Sequence, residues 1–277
     1  MHSSRSLRFV TLASLVVVFS VTPTNASGRG ANYFTGLGFL PDSSPVSLAY
    51  GISGDGQVIV GESRASGSWQ GFRWTLANGM QGLGPGNPHS TAFGASFDGG
   101  VIVGNRGPAA LWTENTGWQN LTGFENSQAL SVSSNGQYVA GNIQNQAVRF
   151  DTSGQPLFLG SLVPGHASYG LGISGDGGTV VGYGHTDGGD RPFRWSAGTG
   201  MAQLPTIGGG NSGAAIHVSL DSSTIVGWSS GPLEREAVYW DQQGLHTMGT
   251  LLDADTRSLA LDAVSYTHLT LPTILRV

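Results

Sequence analysis

Cysteine is absent from this 277-residue chain, and so is lysine, which leaves arginine as the source of all twelve basic side chains. Without cysteine the chain can form no disulfide bonds, and no cysteine follows the apolar N-terminal stretch to carry a lipid anchor. Charged residues make up only 10% of the sequence, against about 25% in a typical soluble domain. The folded chain must therefore be stabilised by packing, with glycine, serine, threonine, asparagine and glutamine covering its surface.

Basic patches are absent as well. The formal net charge is −5, and the arginines are scattered singly along the chain. Such a pattern lacks the basic footprint with which nucleic-acid-binding proteins contact phosphates, and it offers no cluster for an anionic membrane surface. We therefore expect no nucleic-acid partner. The candidate partners are a surface glycan and another extracellular protein.

The N-terminal residues have the three-part layout of a secretory signal peptide. Arg5 and Arg8 precede an apolar stretch from Phe9 to Phe19, and Thr24-Asn25-Ala26 offers a small-residue cleavage site. The apolar stretch is short for a membrane span, although a retained anchor helix is the alternative. We assign residues 1–26 to a signal peptide and expect a mature chain without a membrane span, which is secreted, periplasmic or at the cell surface of a bacterium.

An internal repeat fills most of the remaining chain. The segment from Gly51 to Gly61 returns with few changes from Gly172 to Gly182, and weaker copies lie elsewhere. Five serines lie eight residues before a glycine, at steps of 37 to 45 residues. These pairs are Ser53/Gly61, Ser96/Gly104, Ser133/Gly141, Ser174/Gly182 and Ser219/Gly227. Five copies of one fixed spacing indicate a repeat protein.

Each repeat contains four short stretches with strand character. Apolar residues lead into the serine turn, and β-branched residues such as Val58-Ile59-Val60 follow it. Next comes a stretch that ends on an aromatic residue, such as Phe72-Arg73-Trp74, and then a glycine turn leads to leucine or methionine. The aromatic residues of the third stretch, which we expect to be buried at equivalent positions, are Trp74, Trp112, Phe150, Trp195 and Trp240.

The predicted fold is all-β, a propeller-like array of about five four-stranded blades of roughly 40 residues each. Residues 47–262 form this repeat domain, and residues 27–46 hold a strand of a partial preceding repeat. The sequence from Val264 to Thr273 breaks the repeat composition and resembles a translated sequencing adapter. We expect residues 263–277 to be an artefact of that origin, and the array to be truncated in the opening strand of a sixth repeat.

The segment after the first strand of each repeat has turn chemistry, because Asp and Ser side chains bond nearby amides and glycine tolerates positive φ. Calcium binding is the alternative, since carboxylates are hard oxygen ligands, but each turn offers a single carboxylate at most. We therefore interpret these residues as structural turns: Ser53, Asp55, Gly56, Asp98, Asn135, Asp176, Gly177 and Asp221.

The motif Ala-x-x-Ile-Ser-x-Asp-Gly-x-x-Val-Val-Gly, followed by Phe-Arg-Trp and Gly-x-x-x-Leu-Gly, resembles the HAF repeat of bacterial extracellular proteins. The resemblance covers about residues 34–262 and is best in the first and fourth repeats. The other repeats depart from it at Phe97 in place of a turn glycine, at Asn135 in place of aspartate, and at Ser222 in place of glycine. The resemblance implies export and a propeller-like array, and it supplies no activity.

No set of residues has the spacing of a catalytic site. The segment Ser174–Thr179 resembles the Asp-box of sialidase-like propellers, which is a hairpin support far from the chemistry. Three arginines recur at equivalent blade positions, which indicates repeat packing: Arg73, Arg149 and Arg194. We therefore expect no catalytic residue, and a carbohydrate-active, glycosidase-like propeller enzyme is the alternative.

The densest group of potential metal ligands is His185, Asp187 and Asp190. Their spacing does not fit an EF-hand, which needs acidic residues at alternate positions and a distant glutamate, so a solvated loop is favoured. We expect neither a metal nor a cofactor.

Ligand-binding residues of a repeat scaffold are expected in the connections at one end of the array, where the repeats differ. The aromatic and histidine residues near such connections are Trp69, Tyr183, His185 and Trp228. The predicted function is that of a secreted, non-catalytic structural or ligand-binding module at or outside the cell surface.

Overall fold

The computed structural model describes residues 36–41, 45–84, 89–208, 210–231 and 235–249. Within these ranges the chain forms twenty β-strands in five sheets of four strands, and it contains no helix long and apolar enough to cross a membrane. The proposed signal peptide and adapter-derived tail lie outside the described residues, as does most of the partial preceding repeat.

The strands of the first two sheets are β1 (Ser47–Ile52), β2 (Ile59–Ala65), β3 (Ser68–Thr75), β4 (Gly79–Gly82), β5 (Thr91–Ala95), β6 (Val101–Asn105), β7 (Ala109–Thr113) and β8 (Gly117–Asn120). Those of the third and fourth are β9 (Ser127–Val132), β10 (Tyr138–Ile143), β11 (Gln146–Asp151), β12 (Pro156–Phe158), β13 (Ser168–Ile173), β14 (Thr179–Thr186), β15 (Gly189–Ser196) and β16 (Gly200–Gln203). The fifth sheet holds β17 (Gly213–Val218), β18 (Ile225–Ser230), β19 (Arg235–Asp241) and β20 (Gly244–Thr247).

Every sheet is an antiparallel meander whose strands follow the order of the chain. The first strand of each sheet packs against the first strand of the next, and the second and third strands of a sheet pack on that same neighbour. The sheets therefore stand face to face around an axis, with the first strand innermost and the fourth at the outer edge. This confirms the predicted all-β array of five four-stranded blades, which we number 1 to 5 in chain order.

One turn geometry closes the first hairpin of every blade. In blade 4, Ser174 Oγ donates to Asp176 Oδ1 at 2.6 Å and accepts from the Thr179 amide at 2.9 Å. The Asp176 carboxylate also accepts from the Gly178 amide at 2.8 Å. The same three bonds form around the serines of the other blades, Ser53, Ser96, Ser133 and Ser219. This network explains why serine and an acid or amide recur two residues apart.

Backbone hydrogen bonds join the turns of neighbouring blades. The amide of Phe97 donates to the carbonyl of Ser134 at 3.0 Å, and the amide of Ser134 donates to the carbonyl of Gly175 at 3.0 Å. The amide of Gly175 in turn donates to the carbonyl of Leu220 at 2.9 Å. In blade 1 the donor is the amide of Asp55, which bonds the Phe97 carbonyl at 2.9 Å. All five serine turns therefore lie side by side at one end of the array, which we call the turn end.

The glycine eight residues after each serine is explained by a close approach of two strands. A Cβ added at Gly182 would collide with the carbonyl oxygen of Tyr169, and the equivalent glycines of the other blades face the same obstacle. At this point the register between the first and second strands shifts by one residue in all five blades, which marks a β-bulge. The first-strand residues that the bulges leave without a cross-strand partner are Tyr50, Phe93, Leu130, Leu171 and Ile216.

Apolar layers between consecutive blades form the core. Three of the aromatic residues that end the third strands are buried as expected: Phe150, Trp195 and Trp240, with 0%, 6% and 3% exposure. The expectation is wrong for Trp74 and Trp112, which are half-buried. Among the described residues only 36–41 cover the Trp74 side of blade 1, whereas Trp112 lies directly across from Trp118 and shares one patch with it.

The described residues before blade 1 pack on its open side. Leu37 and Leu40 join Ile59 in one apolar cluster, and the Leu40 amide donates to Ser63 Oγ at 3.1 Å. Within the described residues, the packing that joins consecutive blades is not repeated between blade 5 and blade 1.

Candidate functional site

The two ends of the array differ in how much the blades resemble one another. The turn end repeats one hydrogen-bond network five times. The opposite end, which we call the variable end, carries the hairpin between the second and third strands and the link from each fourth strand to the next blade. These connections differ in length and sequence among the blades. Loops of this kind, held on a rigid scaffold, are where binding residues concentrate.

One structural position shows the variation directly. It is the residue that follows the repeat glycine of each second strand, and it is occupied by Glu62, Asn105, Asn142, Tyr183 and Trp228. In blades 1 and 2 the side chain reaches the next blade, because Glu62 accepts from Thr91 at 2.6 Å and Asn105 accepts from the Ala129 amide at 3.4 Å. The fold therefore presents an acid, two amides and two aromatic residues from one position of the repeat.

Glu62 links blades 1 and 2. Its side chain is 12% exposed. Its Oε1 accepts from the Tyr50 hydroxyl at 2.8 Å and its Oε2 from the Thr91 hydroxyl at 2.6 Å, with His89 Nε2 at 3.5 Å. Burial, together with the hydrogen bond to Glu62, raises the pKa of Tyr50 above its usual range. Both carboxylate oxygens have hydroxyl donors, which is the arrangement of a structural cross-link.

In blade 4 the same position belongs to an aromatic cluster. Tyr183 lies opposite Tyr169, and their rings stack with centroids 4.9 Å apart and an interplanar angle of 24°. The His185 ring meets both edge-on, at 5.7 and 5.9 Å, and its Nδ1 lies 2.9 Å from Asp190 Oδ1. The Tyr169 hydroxyl donates to Asn145 Oδ1 of blade 3 at 3.1 Å. We call Tyr169, Tyr183, His185 and Asp190 the blade 4 platform; all four are half-buried.

The surroundings of the platform raise the pKa of both its tyrosines. Burial raises the pKa of Tyr183 to about 12, with smaller contributions from Tyr169 and Asp190. Burial and then the Asp190 charge also raise the pKa of Tyr169. Among the described residues, the Tyr183 hydroxyl and His185 Nε2 have no hydrogen-bond partner, so both are available to a ligand.

Trp69 and Trp228 lie at the variable end on other blades. Trp69 is the cross-strand neighbour of Arg64, whose guanidinium carbon is 5.8 Å from the centroid of the indole. The guanidinium carbon of Arg235 lies 4.0 Å from the Trp228 ring centroid. Of the four binding residues predicted from the sequence, the structure thus brings Tyr183 and His185 together and places each tryptophan beside an arginine on a separate blade.

The group of potential metal ligands in the β14–β15 hairpin is split between two pairs. His185 pairs with Asp190, whereas Asp187, whose side chain is 93% exposed, lies 3.5 Å from Nε2 of His166 in the preceding link. In the described part of the chain, no three His, Asp or Glu side chains converge as a metal site would require.

The recurring arginines differ in exposure, since Arg73 and Arg149 are half-buried and Arg194 is exposed. The Arg149 guanidinium crosses from blade 3 to blade 4, where it donates to the Gly177 carbonyl at 2.8 Å. The same group lies 4.5 Å from the Tyr138 ring and 5.2 Å from the Trp195 ring. The contacts with Gly177 and Trp195 join blades 3 and 4, whereas the contact with Tyr138 lies within blade 3.

Two features of the array were not predicted from the sequence. One is Tyr169, whose importance depends on its position across the hairpin from Tyr183. The other is the row of bulge residues on the innermost strands, which are half-buried, with the Tyr50 and Phe93 rings 5.5 Å apart. A detectable signal for this row exists, because a large apolar residue stands three residues before each turn serine.

No protein-family model matches the chain, and no curated protein matches it. Solved structures do. A putative TolB from Agrobacterium tumefaciens has a TM-score of 0.54 and 18% identity over 73% of this chain and 80% of that one. TolB from Acinetobacter baumannii has a TM-score of 0.51 and 14% identity over 74% of this chain, which spans 57% of that protein.

A third structure, from a nidogen/laminin complex, has a TM-score of 0.51 and 11% identity over 79% of this chain and 84% of that one. At these identities the likeness concerns the fold alone. Together with the five sheets, it shows that the chain is a β-propeller module.

Proposed function

We propose that this chain is a secreted, non-catalytic propeller module that binds an extracellular ligand through its variable end. The observation that carries the proposal is the contrast between the two ends. The turn end repeats the same side-chain bonds in all five blades, whereas one position at the variable end carries an acid, amides, a tyrosine and a tryptophan. Variation on a constant scaffold is the arrangement of repeat proteins that bind through a composite surface.

The proposed location rests on the sequence. Residues 1–26 have the layout of a signal peptide, and the repeat resembles that of the HAF family, whose members are extracellular. Expression in a bacterial host, followed by mass spectrometry of the exported chain, tests this part of the proposal. The expected N-terminus is Ser27, and a chain that stays in the cytoplasm with its first residues intact would contradict it.

The binding role is tested with the full chain on panels of glycans and extracellular proteins. Variants Trp69→Ala and Trp228→Ala at the variable end are compared with Phe97→Ala, a 47% exposed residue at the turn end. Binding weakened by either variable-end variant and unchanged by Phe97→Ala supports the proposal. The reverse pattern would place the ligand at the other end of the array.

A carbohydrate-active enzyme is the alternative, and Glu62 is the residue to test, because it is an enclosed carboxylate bonded to a tyrosine hydroxyl. Glycosides are incubated with the chain and with Glu62→Gln, which keeps the shape of the side chain and loses its charge. Turnover by the unmodified chain that disappears in a folded Glu62→Gln variant would replace the proposal with this alternative.

A further inference from the structure

The blade 4 platform differs from the equivalent surface of every other blade. The cross-strand pair that is Tyr169 and Tyr183 in blade 4 is Leu48 with Glu62 in blade 1 and Ala214 with Trp228 in blade 5. A stacked pair of aromatic rings with a histidine and a carboxylate beside it therefore occurs in one blade of the described array. The repeat itself does not require these side chains, since the other blades fold without them.

The platform combines apolar ring surface with hydrogen-bonding groups at its margin. The tyrosine rings are half-buried and stacked, with planes 24° from parallel, so they form one aromatic unit in which each ring keeps an outer face that the other ring does not cover. Around it stand the Tyr183 hydroxyl, His185 Nε2 and the Asp190 carboxylate, and Tyr169 is held in place by Asn145. Aromatic rings with a polar tip offer apolar contact area and hydrogen bonding at the same place.

The charges and the ring geometry of the platform exclude two classes of ligand. Asp190 belongs to the platform and Asp187 lies on the same hairpin, and the nearby Arg191 already donates to the Gly210 carbonyl at 3.2 Å. Phosphate groups and nucleic acids would meet carboxylates without an opposing basic cluster. A quaternary ammonium is normally enclosed by several ring faces, whereas these two rings are stacked upon each other.

A neutral sugar ring fits the remaining chemistry. One face of a pyranose presents C–H groups, which pack on aromatic rings, and its hydroxyls bond to carboxylate, imidazole and phenol groups. We propose that the blade 4 platform binds a neutral hexopyranose unit of an extracellular polysaccharide. This inference rests on the proposed ligand-binding function and gives that function a site and a ligand class.

The test measures binding of the full chain to soluble neutral polysaccharides by affinity electrophoresis and calorimetry. The probes are a β-glucan, a galactomannan and starch, with an acidic polysaccharide and tetramethylammonium as comparisons. Retention by at least one neutral polysaccharide is expected. Substitution Tyr183→Ala should weaken that binding about tenfold or more, because it removes one of the two rings together with its free hydroxyl.

The matched control is Tyr239→Ala, because Tyr239 is also a half-buried tyrosine stacked on a histidine, His246, at 4.5 Å, but on the outer strands of blade 5. It should leave binding unchanged. Asp190→Asn is the second variant, in case Tyr183→Ala does not fold, and it should weaken binding while retaining the unfolding temperature of the unmodified chain.

The outcomes separate the site from the general function. Neutral-sugar binding that survives both platform variants overturns the platform and leaves a ligand-binding propeller with its site elsewhere. Binding of tetramethylammonium or of the acidic polysaccharide alone overturns the sugar class, and it keeps the site only if the platform variants weaken that binding. Absence of binding to every probe overturns the sugar proposal, and the protein panel then decides whether the broader function stands.

Discussion

At the scale of single residues, the Ser-x-Asp turn depends mainly on the position of an acceptor oxygen and less on its charge. Blade 3 carries Asn135 where the other blades carry aspartate, yet its amide oxygen accepts from Ser133 Oγ at 2.7 Å and from the Gln137 amide at 3.0 Å. At Asp176 and Asp98 the bonds stabilise the ionised carboxylate. The Ser174 hydroxyl and then the Gly178 amide lower the pKa of Asp176, and the Gly100 amide and then Ser96 lower the pKa of Asp98.

The first prediction concerns acid. A carboxyl whose pKa is lower in the folded chain contributes stability above its unfolded pKa of about 3.9, and loses that contribution as the pH falls through the folded value. Asp176→Asn keeps the acceptor oxygen and removes the titration. We expect the variant to be nearly as stable as the unmodified chain at pH 7 and to lose less stability between pH 4 and pH 2. Parallel denaturant titrations at several pH values measure this, and equal acid sensitivity of the two proteins would contradict it.

The second prediction concerns two turn glycines. Gly56 and Gly177 both have positive φ, at 73° and 75°, but a Cβ at Gly56 would meet open space whereas one at Gly177 would strike the Tyr138 ring. Gly56→Ala should therefore cost about 1 kcal/mol of backbone strain. Gly177→Ala should cost more, because strain and collision add.

Gly188→Ala is the control for that pair. Gly188 is exposed, and its added Cβ would meet the end of the flexible Arg191 side chain at 3.4 Å and Thr186 Oγ1 at 4.0 Å. The free energy of unfolding should therefore change by less than about 0.5 kcal/mol. Denaturant unfolding of the three variants gives the ranking. A Gly56→Ala variant as unstable as Gly177→Ala would show that the collision with Tyr138 is relieved at no cost.

At the scale of strands, the burial of a side chain depends on which residues pack against that side of its blade. Trp195 is 6% exposed, and it has the Arg149 guanidinium of blade 3 on its face and apolar neighbours of that blade around it. Trp74 occupies the same place in blade 1, where the described residues supply only a short segment as cover. Equal positions in the repeat thus differ in burial because their neighbours differ.

The third prediction follows from this difference. Trp195→Ala should cost roughly 3–5 kcal/mol, as the removal of other buried aromatic side chains does, whereas Trp74→Ala should cost clearly less. Urea unfolding followed by circular dichroism compares the two variants, and far-ultraviolet spectra at zero urea check that both are folded. Equal losses would mean that Trp74 is covered as well as Trp195.

At the scale of the whole molecule, the sequence predicts the features that recur in every repeat. It does not predict the contacts that depend on strand register or on a neighbouring blade. The strand count, the five blades and the serine turns follow from spacing within each repeat, because these depend on contacts a few residues apart. The stacking of Tyr169 on Tyr183, the half-burial of Trp112 and the bond from Thr91 to Glu62 depend instead on register and on neighbouring blades. The bulge involves a glycine and an apolar residue that stand at fixed distances from the turn serine, but their spacing does not say which residues face each other across the hairpin.

The last prediction concerns cooperativity across the array. Blades of a repeat protein are stabilised by their neighbours, and among the described residues blades 2, 3 and 4 have a blade on both faces whereas blades 1 and 5 have one. Native-state hydrogen exchange should therefore find the slowest amides in the central second strands β6, β10 and β14. The fourth strands β8, β12 and β16 should exchange faster, since they form the outer edge of their sheets. The equivalent strand β2 should exchange faster than β10, because its exposed side is covered in the described structure by residues 36–41 alone.

Gly141→Ala, which forces a Cβ against the first strand of blade 3, should raise exchange in blades 2 and 4 as well as in blade 3 if the interfaces carry the stability. Exchange confined to blade 3 would instead show that each blade is stable by itself.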